Sequence, residues 1–584
     1  MKKLFLISLL VCVGILQSLA DDFGYTDGSG MTWYCSEIDS TSVYIYTPAV
    51  YQDEMVIPEK VYNGTKEYTV TSIQFTFHDN KTLEKVTWPS TVTEIPYGMF
   101  RDCSSLKTVE NIRKVTSIDG YAFNGCNNLI ELDLGSCKIA GFAFYGCSEL
   151  QSIGDFAKCT SVDDYAFCGC SSLEKVDLSM CTSVGSYAFD GCSSLQPIGN
   201  PKLTSIQECA FRSCSSLEKI DLSLCTSVES EAFRGCTNLH SVGNPKLASI
   251  SGNAFYGCSS LENIDLSMCT SVGYTAFQFC SSLEKIDLSM CTSLGSYAFD
   301  GCKKLENVIG LENFKSIPEG AFRETALKFV NLPKVESIGN NAFMLTGITK
   351  ISLPETLKSM GYQCFDNVKE YTFNGMQPAV LYEDNGFSAF SGASYIIRVP
   401  ESAVDAYKTA DIWKNYKDKI FSISDQFDYD VTTTAMDNQS GLEQAIGATN
   451  MKKVFSLKAT GTINGYDIFM IRTKMTNLQN LDLTDADIVA NGFAYYENNS
   501  TTDNVVGDNS FCELDNLVTL KLPKNAVSIG NYAVGNCSSL ESVDFPKNLK
   551  NIEDFSFKGC SKLDNVVLPD GLESIGDNSF RFCI

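Results

Sequence analysis

Cysteine, aspartate and histidine are the residues of this chain that could do chemistry, and their spacing decides which chemistry. Twenty-five cysteines are present. In an exported chain that number ordinarily announces a disulfide framework. Cys103, Cys126, Cys147, Cys170, Cys192, Cys214, Cys236, Cys258, Cys280 and Cys302 instead recur at one step of a repeating block. Cys137, Cys159, Cys181, Cys225, Cys269 and Cys291 form a second register whose two gaps are filled by Leu203 and Leu247. Leucine in a cysteine register marks an apolar, inward slot, where Cys behaves as a small hydrophobe. Equivalent side chains on neighbouring coils point the same way, which is poor geometry for a bridge. The expectation is mostly free, buried thiols.

Asp133, Asp155, Asp177, Asp221, Asp265 and Asp287 share a second kind of register, at multiples of 22 residues. Carboxylates on adjacent strands repel, so this row would welcome a cation or a basic partner. It is the candidate binding face. Lys175, Lys219 and Lys285, two residues earlier, offer the alternative of a self-compensated solvated surface. His78 and His240 are the only histidines, and no paired C-x-x-C knuckle accompanies them. No metal site and no cofactor site is expected. A catalytic site is not expected either. The chain has no Ser/His/Asp or Cys/His arrangement, no phosphate loop, and no carboxylate pair distinct from the repeat. Tyr44, Tyr46, Trp88, Tyr495 and Tyr496 lie outside the repeat core by pattern and could stack on sugar rings, with cap packing as the alternative.

The elements that must position these residues come from the repeat itself. A Phe followed by Gly-Cys, Ser-Ser-Leu-Glu-Lys and an apolar-Asp-Leu run recurs every 21 to 23 residues. The structural anchors are Phe77, Phe100, Phe123, Phe144, Phe167, Phe189, Phe211, Phe233, Phe255, Phe277, Phe299, Phe322, Phe343 and Phe365, with a second set at Phe511, Val534, Phe557 and Phe580. Leu173, Val176 and Leu178 reproduce an L-x-x-L-x-L strand core. Alternation turns those three inward and leaves Glu174, Lys175, Asp177 and Ser179 outside or at the rim. One strand and one turn cannot bury an apolar face alone, so the coils must stack. The fold class is a leucine-rich-repeat solenoid with one short parallel strand per coil, in two arrays with β-rich and α/β caps. The near-identical 44-residue blocks starting at Ser171 and Ser215 point to recent duplication.

Lys2 and Lys3, an apolar run from Leu4 to Leu16, and Ser18-Leu19-Ala20 form a secretory signal, residues 1–20, cleaved after Ala20. Residues 21–71, with Ser42-Val43-Tyr44-Ile45-Tyr46 and an Asn63-Gly64 turn, form a β-rich N-terminal cap. Residues 72–368 are the first array of about 14 coils, and 369–424 a strand-plus-helix cap closed by Ala403, Tyr407 and Trp413. Residues 425–508 are a linker and the opening cap of a second array, with helices at 441–446 and 466–475, a strand at 454–459 and a loop at 491–508. Residues 509–584 hold about four coils and stop at Ile584, where another strand is due. No later segment is apolar enough to span a membrane. A net charge of -25 excludes nucleic acid, which needs a basic footprint.

The recurring block, seen as Ala188-Phe189-Asp190-Gly191-Cys192-Ser193-Ser194-Leu195 and again from Ala298 to Gly301, resembles the signature of the BspA-like, or Treponema pallidum type, leucine-rich-repeat proteins. The resemblance covers nearly everything after the signal. It implies a secreted or cell-surface, non-enzymatic binding protein of host-associated microbes, with an adhesin for host matrix or other cell-surface proteins as the leading role. Glycan capture or a structural surface spacer are the alternatives. No ligand residue carries over, because the family has no fixed ligand motif.

Overall fold

The computed structural model describes residues 22–135, 138–154, 159–199, 201–243, 246–383, 388–390 and 395–583. The expected signal at residues 1–20, Asp155, Cys137 and Ile584 lie outside them. The chain divides into two compact units. One runs to Thr349 and adds Thr356–Asn367 and Ala379–Phe390; the other comprises Lys350–Glu355, Val368–Pro378 and the chain from Ser391.

The first unit opens on a five-stranded sheet in the order Asp22–Thr26, Thr32–Glu37, Ser42–Pro48, Lys66–Ile73, Lys60–Asn63. Its first hairpin is set by Asp27, whose carboxylate accepts from the Ser29 and Met31 amides at 2.9 and 3.1 Å and from the Trp33 indole at 2.9 Å. Buried Trp33, Val43, Ile45 and Val70 give the sheet its inner face.

The coils follow. One parallel ladder joins Glu54–Val56, Lys85–Thr87, Thr108–Glu110, Glu131–Leu134 and Ser152–Gly154. Through the duplicated blocks it thins to isolated bridges such as Ser152↔Lys175, Lys219↔Ser241 and Asn263↔Lys285, then resumes at Lys285–Asp287 and Asn307–Ile309. Leu173, Val176 and Leu178 are buried, and Glu174, Lys175 and Asp177 exposed, as alternation requires.

A second parallel ladder, beyond the one strand that alternation predicts, runs through Ser117–Ile118, Lys138–Ile139, Ser161–Val162 and Ser183–Val184, and separately from Ser205–Ile206 to Ser293–Leu294. Between this ladder and the anchor the backbone takes a left-handed step, at Tyr121 (φ 60°), Tyr165 (φ 57°), Tyr187 (φ 58°) and their counterparts; a second such step after the anchor is usually glycine, as at Gly125 (φ 74°). These two steps turn the Ala-Phe pair into the core. Backbone bonds then tie the turn to the next coil: Phe123 N donates to Ala143 O at 2.7 Å, and Gly125 N to Tyr145 O at 2.8 Å.

The anchor rings are fully buried and stack face to face from Phe77 to Phe365, with centroids 5.1–5.6 Å apart. Burial of each ring contributes about 1.5–3 kcal/mol, and each stacked pair about 0.5–1.5 kcal/mol more.

In the second unit, Lys350–Leu353, Glu370–Phe373, Ile396–Val399 and Ile420–Ser422 pair in parallel. Tyr407, on the helix Val404–Thr409, and Trp413 pack edge-on at 4.8 Å, with Trp413 4.9 Å from the Phe373 ring. A further sheet runs Asp428–Thr433, Ser456–Ile463, Asn480–Asp482, Thr519–Lys521, Ser542–Asp544. It is covered by the helices Gly441–Ile446 and Gly465–Lys474. Buried Asp467 serves both helix starts: its carboxylate accepts from Ser440 Oγ at 2.7 Å, Leu442 N at 2.9 Å and Asn464 N at 3.0 Å. Residues 491–508 are not a plain loop. They carry a small hairpin, Ala494–Tyr496 with Asn499–Ser500, pinned by Tyr495 Oη donating to Asp508 O at 2.8 Å.

Candidate functional site

The strand face of the first array is the surface on which the candidate aspartates stand. Asp177, Asp221 and Asp265 each accept from the amide two residues on, that of Ser179, Ser223 and Ser267, at 2.9 Å, and Asp287 does so from Ser289 at 2.8 Å. This is the Asx turn that reverses the chain after the strand. The carboxylate recurs because the turn recurs. Ser267, through its side chain and its amide, holds the Asp265 carboxyl below its ordinary range.

Asp133 sits differently, with Arg113 Nε donating to its Oδ2 at 2.8 Å. Lys175, Lys219 and Lys285 enter no ion pair with the row among the described residues.

The row is also interrupted. The coils between Asp177, Asp221 and Asp265 place Gly199 and Gly243 at the same register. A Cβ there would come within 3.0 Å of Asp177 Oδ1 and 2.7 Å of Asp221 Oδ1 respectively. Glycine is therefore what lets the carboxylate of the preceding coil keep its turn. Among the described residues of the row, Asp265 and Asp287 are the two that stand on consecutive coils. Among the described residues, no group of three or more His, Cys, Asp or Glu is placed to hold a metal ion.

The first cysteine register has a bonding role that composition does not reveal. Each thiol donates to the carbonyl of the anchor one coil back: Cys126 to Phe100 O at 3.0 Å, Cys147 to Phe123 O at 3.0 Å, Cys170 to Phe144 O at 3.1 Å, Cys236 to Phe211 O at 3.0 Å. The described cysteines are unpaired, and all but Cys168 and Cys583 are buried. Burial pushes the Cys236 thiol up to about 12 and Cys192 and Cys214 well above their usual range. Such thiols are poor nucleophiles and poor metal ligands.

The aromatic candidates fare unequally. Trp88 and Tyr495 are core residues, 0% and 3% exposed, so neither can stack on a sugar. Trp88 packs edge-on to Phe100 at 6.0 Å and donates its indole N–H to Val92 O at 3.1 Å. Tyr44 and Tyr46 are half-buried, and Tyr496 lies under the Arg472 guanidinium at 4.4 Å.

Two residues on this face were not singled out by the repeat pattern. Ile309 pairs with Asp287, occupying the aspartate register, and is 52% exposed; Phe329, one coil on, is 74% exposed. A cavity of about 440 Å³ adjoins Ile309 and one of about 310 Å³ adjoins Phe329, with Asn307 lining both. The signal was present in the sequence as a departure from the repeat at Asn307-Val308-Ile309-Gly310.

The profile of the BspA type leucine rich repeat region, in six copies, matches residues 71–196, 160–284, 204–325, 270–395 and 491–584. No curated protein matches the chain. Among solved structures, it is similar to a leucine-rich repeat protein from Bacteroides ovatus, at 21% identity over 70% of this chain and 100% of that one, TM-score 0.48. It is also similar to a leucine rich cell surface protein from Faecalibacterium prausnitzii, at 23% identity over 64% and 100%, TM-score 0.37. The pneumococcal vaccine antigen PcpA matches at 15% identity over 69% and 97%, TM-score 0.27. Among the described residues, no helix is long and apolar enough to cross a membrane.

Proposed function

Because the chain belongs to the BspA-type leucine-rich-repeat family, we propose that it is a non-enzymatic secreted or cell-surface binding protein, an adhesin that engages host extracellular-matrix or other cell-surface proteins through the strand face of its first array. The observation that carries this reading is the division of labour within each coil. Leu, Val, Phe and Cys side chains are consumed by the core, while the strand positions between them present a long polar face with no internal partner element laid over it. A surface repeated over many coils offers an extended face to a partner. Among the described residues, the first-register thiols are buried, the aspartates serve turns, and no group of three or more His, Cys, Asp or Glu is placed to hold a metal ion. Glycan capture loses two of its five candidate rings to the core.

The test is binding of the mature chain, residues 21–584, to parallel arrays of matrix proteins and glycans, with and without calcium. Saturable binding to a protein, lost on deleting coils of the first array while the remainder stays folded, supports the adhesin role. Binding to glycans alone would replace it with the second reading, and silence on both would leave a surface spacer.

A further inference from the structure

We infer that the exposed pair Ile309 and Phe329 is the docking centre of the strand face, and that it takes an extended protein segment carrying apolar side chains flanked by basic ones. This rests on the binding reading above and deepens it to a place and a partner chemistry.

The inference starts from the coil that departs from the repeat. In the coils from Asp177 to Asp287, the position after the second apolar core residue is the aspartate that makes the Asx turn, or the glycine that accommodates one. At Ile309 the turn is built another way. Gly310 takes φ 94°, and a single turn of 3-10 helix, Leu311–Asn313, follows it. A Cβ at residue 310 would sit 2.5 Å from Leu288 C and Ser289 N, so only glycine fits. With the turn made by glycine and helix, residue 309 is released from turn duty. An isoleucine half open to water is not what a released strand position needs for stability.

The next coil repeats the departure. Leu327, Val330 and Leu332 are buried, and Phe329 between them points outward, at the register where Lys285 and Asn307 precede it. A phenylalanine at 74% exposure on the coil that continues this face carries an unfavourable surface that folding does not relieve. The cavities on either side of Asn307 give such a pair the shape of a hot spot: apolar anchors beside recesses that receive a partner's side chains. Asn307 and Asn263 supply amides, which both donate and accept and so suit the backbone of an extended chain.

Charge selects the partner. On the strand positions of these coils the carboxylates of Asp265, Glu284, Asp287 and Glu306 outnumber the ammonium groups of Lys285 and Lys328, within a chain of net charge -25. An apolar segment with lysine or arginine neighbours is complementary to that rim; an acidic one is repelled.

The probes are two short peptides, one alternating Lys with Leu and one alternating Glu with Leu, titrated against the full mature chain by fluorescence anisotropy. The Lys–Leu peptide is expected to bind saturably, and more weakly as salt rises from about 0.05 to about 0.5 M. Phe329→Asp and Ile309→Asp are each expected to weaken it about tenfold or more. Both substitutions add negative charge, which would strengthen any purely electrostatic attraction, so a loss reports the apolar anchor. Both side chains lie outside the core, and an unchanged melting temperature confirms the fold. Three results would each overturn the proposal: no Lys–Leu binding, Lys–Leu binding that ignores both substitutions, or equal binding of the Glu–Leu peptide. A matrix protein that binds the wild-type chain and the Phe329→Asp variant alike would leave the adhesin reading standing and remove this site from it.

Discussion

In the first array every consecutive anchor pair from Phe77 to Phe365 is a stacked pair of rings, whereas in the second the series reads Phe511, Val534, Phe557, Phe580 and stacks only at its end, at 5.1 Å. The backbone does not register the exchange. Phe511 N donates to Ala533 O at 2.7 Å and Val534 N to Ser556 O at 2.8 Å, as in the first array. Cys537 donates to Phe511 O at 3.1 Å and Cys560 to Val534 O at 3.2 Å. The inter-coil amide and thiol bonds therefore define the coil, and the ring is a filling that can be traded.

On the coil of Val534, Phe545 stands where the first array mostly has Leu, as at Leu178 or Leu222, and its ring meets Phe557 edge-on at 5.5 Å, as Trp88 at the same step meets Phe100. The short cap helices contribute as well, since Ile468, Ile471 and Met475 share one core with Phe511 and Val534.

The largest expected effect breaks the uniform stack. Phe211→Ala removes a ring sandwiched between Phe189 and Phe233 and should cost about 3–5 kcal/mol, while Val534→Ala should cost about 1–2 kcal/mol. Calorimetry or denaturant titration of each variant checks this. Equal losses would show that the two arrays depend on their anchors alike.

A sharper comparison restores what the second array gave up. Val534→Phe should overpack against Phe545 and destabilise by about 1–3 kcal/mol. Adding Phe545→Leu should recover most of that loss, because the pair then matches the first array. A double-mutant cycle with no coupling would sink the volume exchange.

The thiol ladder should be indifferent to the ring beneath it. Cys236→Ala, over Phe211, and Cys560→Ala, over Val534, should each cost about 1 kcal/mol through the lost donor and a small cavity. With Cys236 held at about 12, its alkylation in the native chain at neutral pH should also be slow and rise only with unfolding. Rapid modification of Cys236 in the folded chain would contradict the buried ladder.

Much of this was legible in the chain itself, for identifiable reasons. The Phe period and the Leu173, Val176, Leu178 pattern are consequences of burial, which selects side-chain type. The second ladder escaped because Ser183-Val184 or Ser205-Ile206 is too short to show alternation, although it repeats as faithfully as the anchors. The left-handed step at Tyr121, Tyr165 and Tyr187 escaped because tyrosine does not announce positive φ. On the binding face, the aspartates were conspicuous by their recurrence, and recurrence here tracks a turn. Ile309 and Phe329 were inconspicuous because they occur once, and a lone apolar residue in a repeat reads as drift until its exposure is known.

The smallest expected effect separates coils by their turns. Coils such as that of Asp265 reverse direction with Asp-Leu-Ser, whereas Leu522-Pro523 and Phe545-Pro546 in the second array, like Trp88-Pro89 and Leu332-Pro333 in the first, put a proline of fixed φ at the same step. Ser267 lowers the Asp265 pKa in the folded chain from its ordinary 3.8. A carboxyl so lowered contributes stability that is complete above 3.8 and is lost as pH falls through the folded value. Acidification below that point should therefore loosen the Asp265 coil before the proline-turn coils at Pro523 and Pro546, and Asp265→Ala should reproduce a fraction of it at neutral pH, about 0.5–1 kcal/mol. Hydrogen exchange followed coil by coil from neutral to acidic pH measures both. If protection around Pro523 and Pro546 faded together with that around Asp265, the acid sensitivity would have a source common to both arrays, and the turn chemistry would not be it.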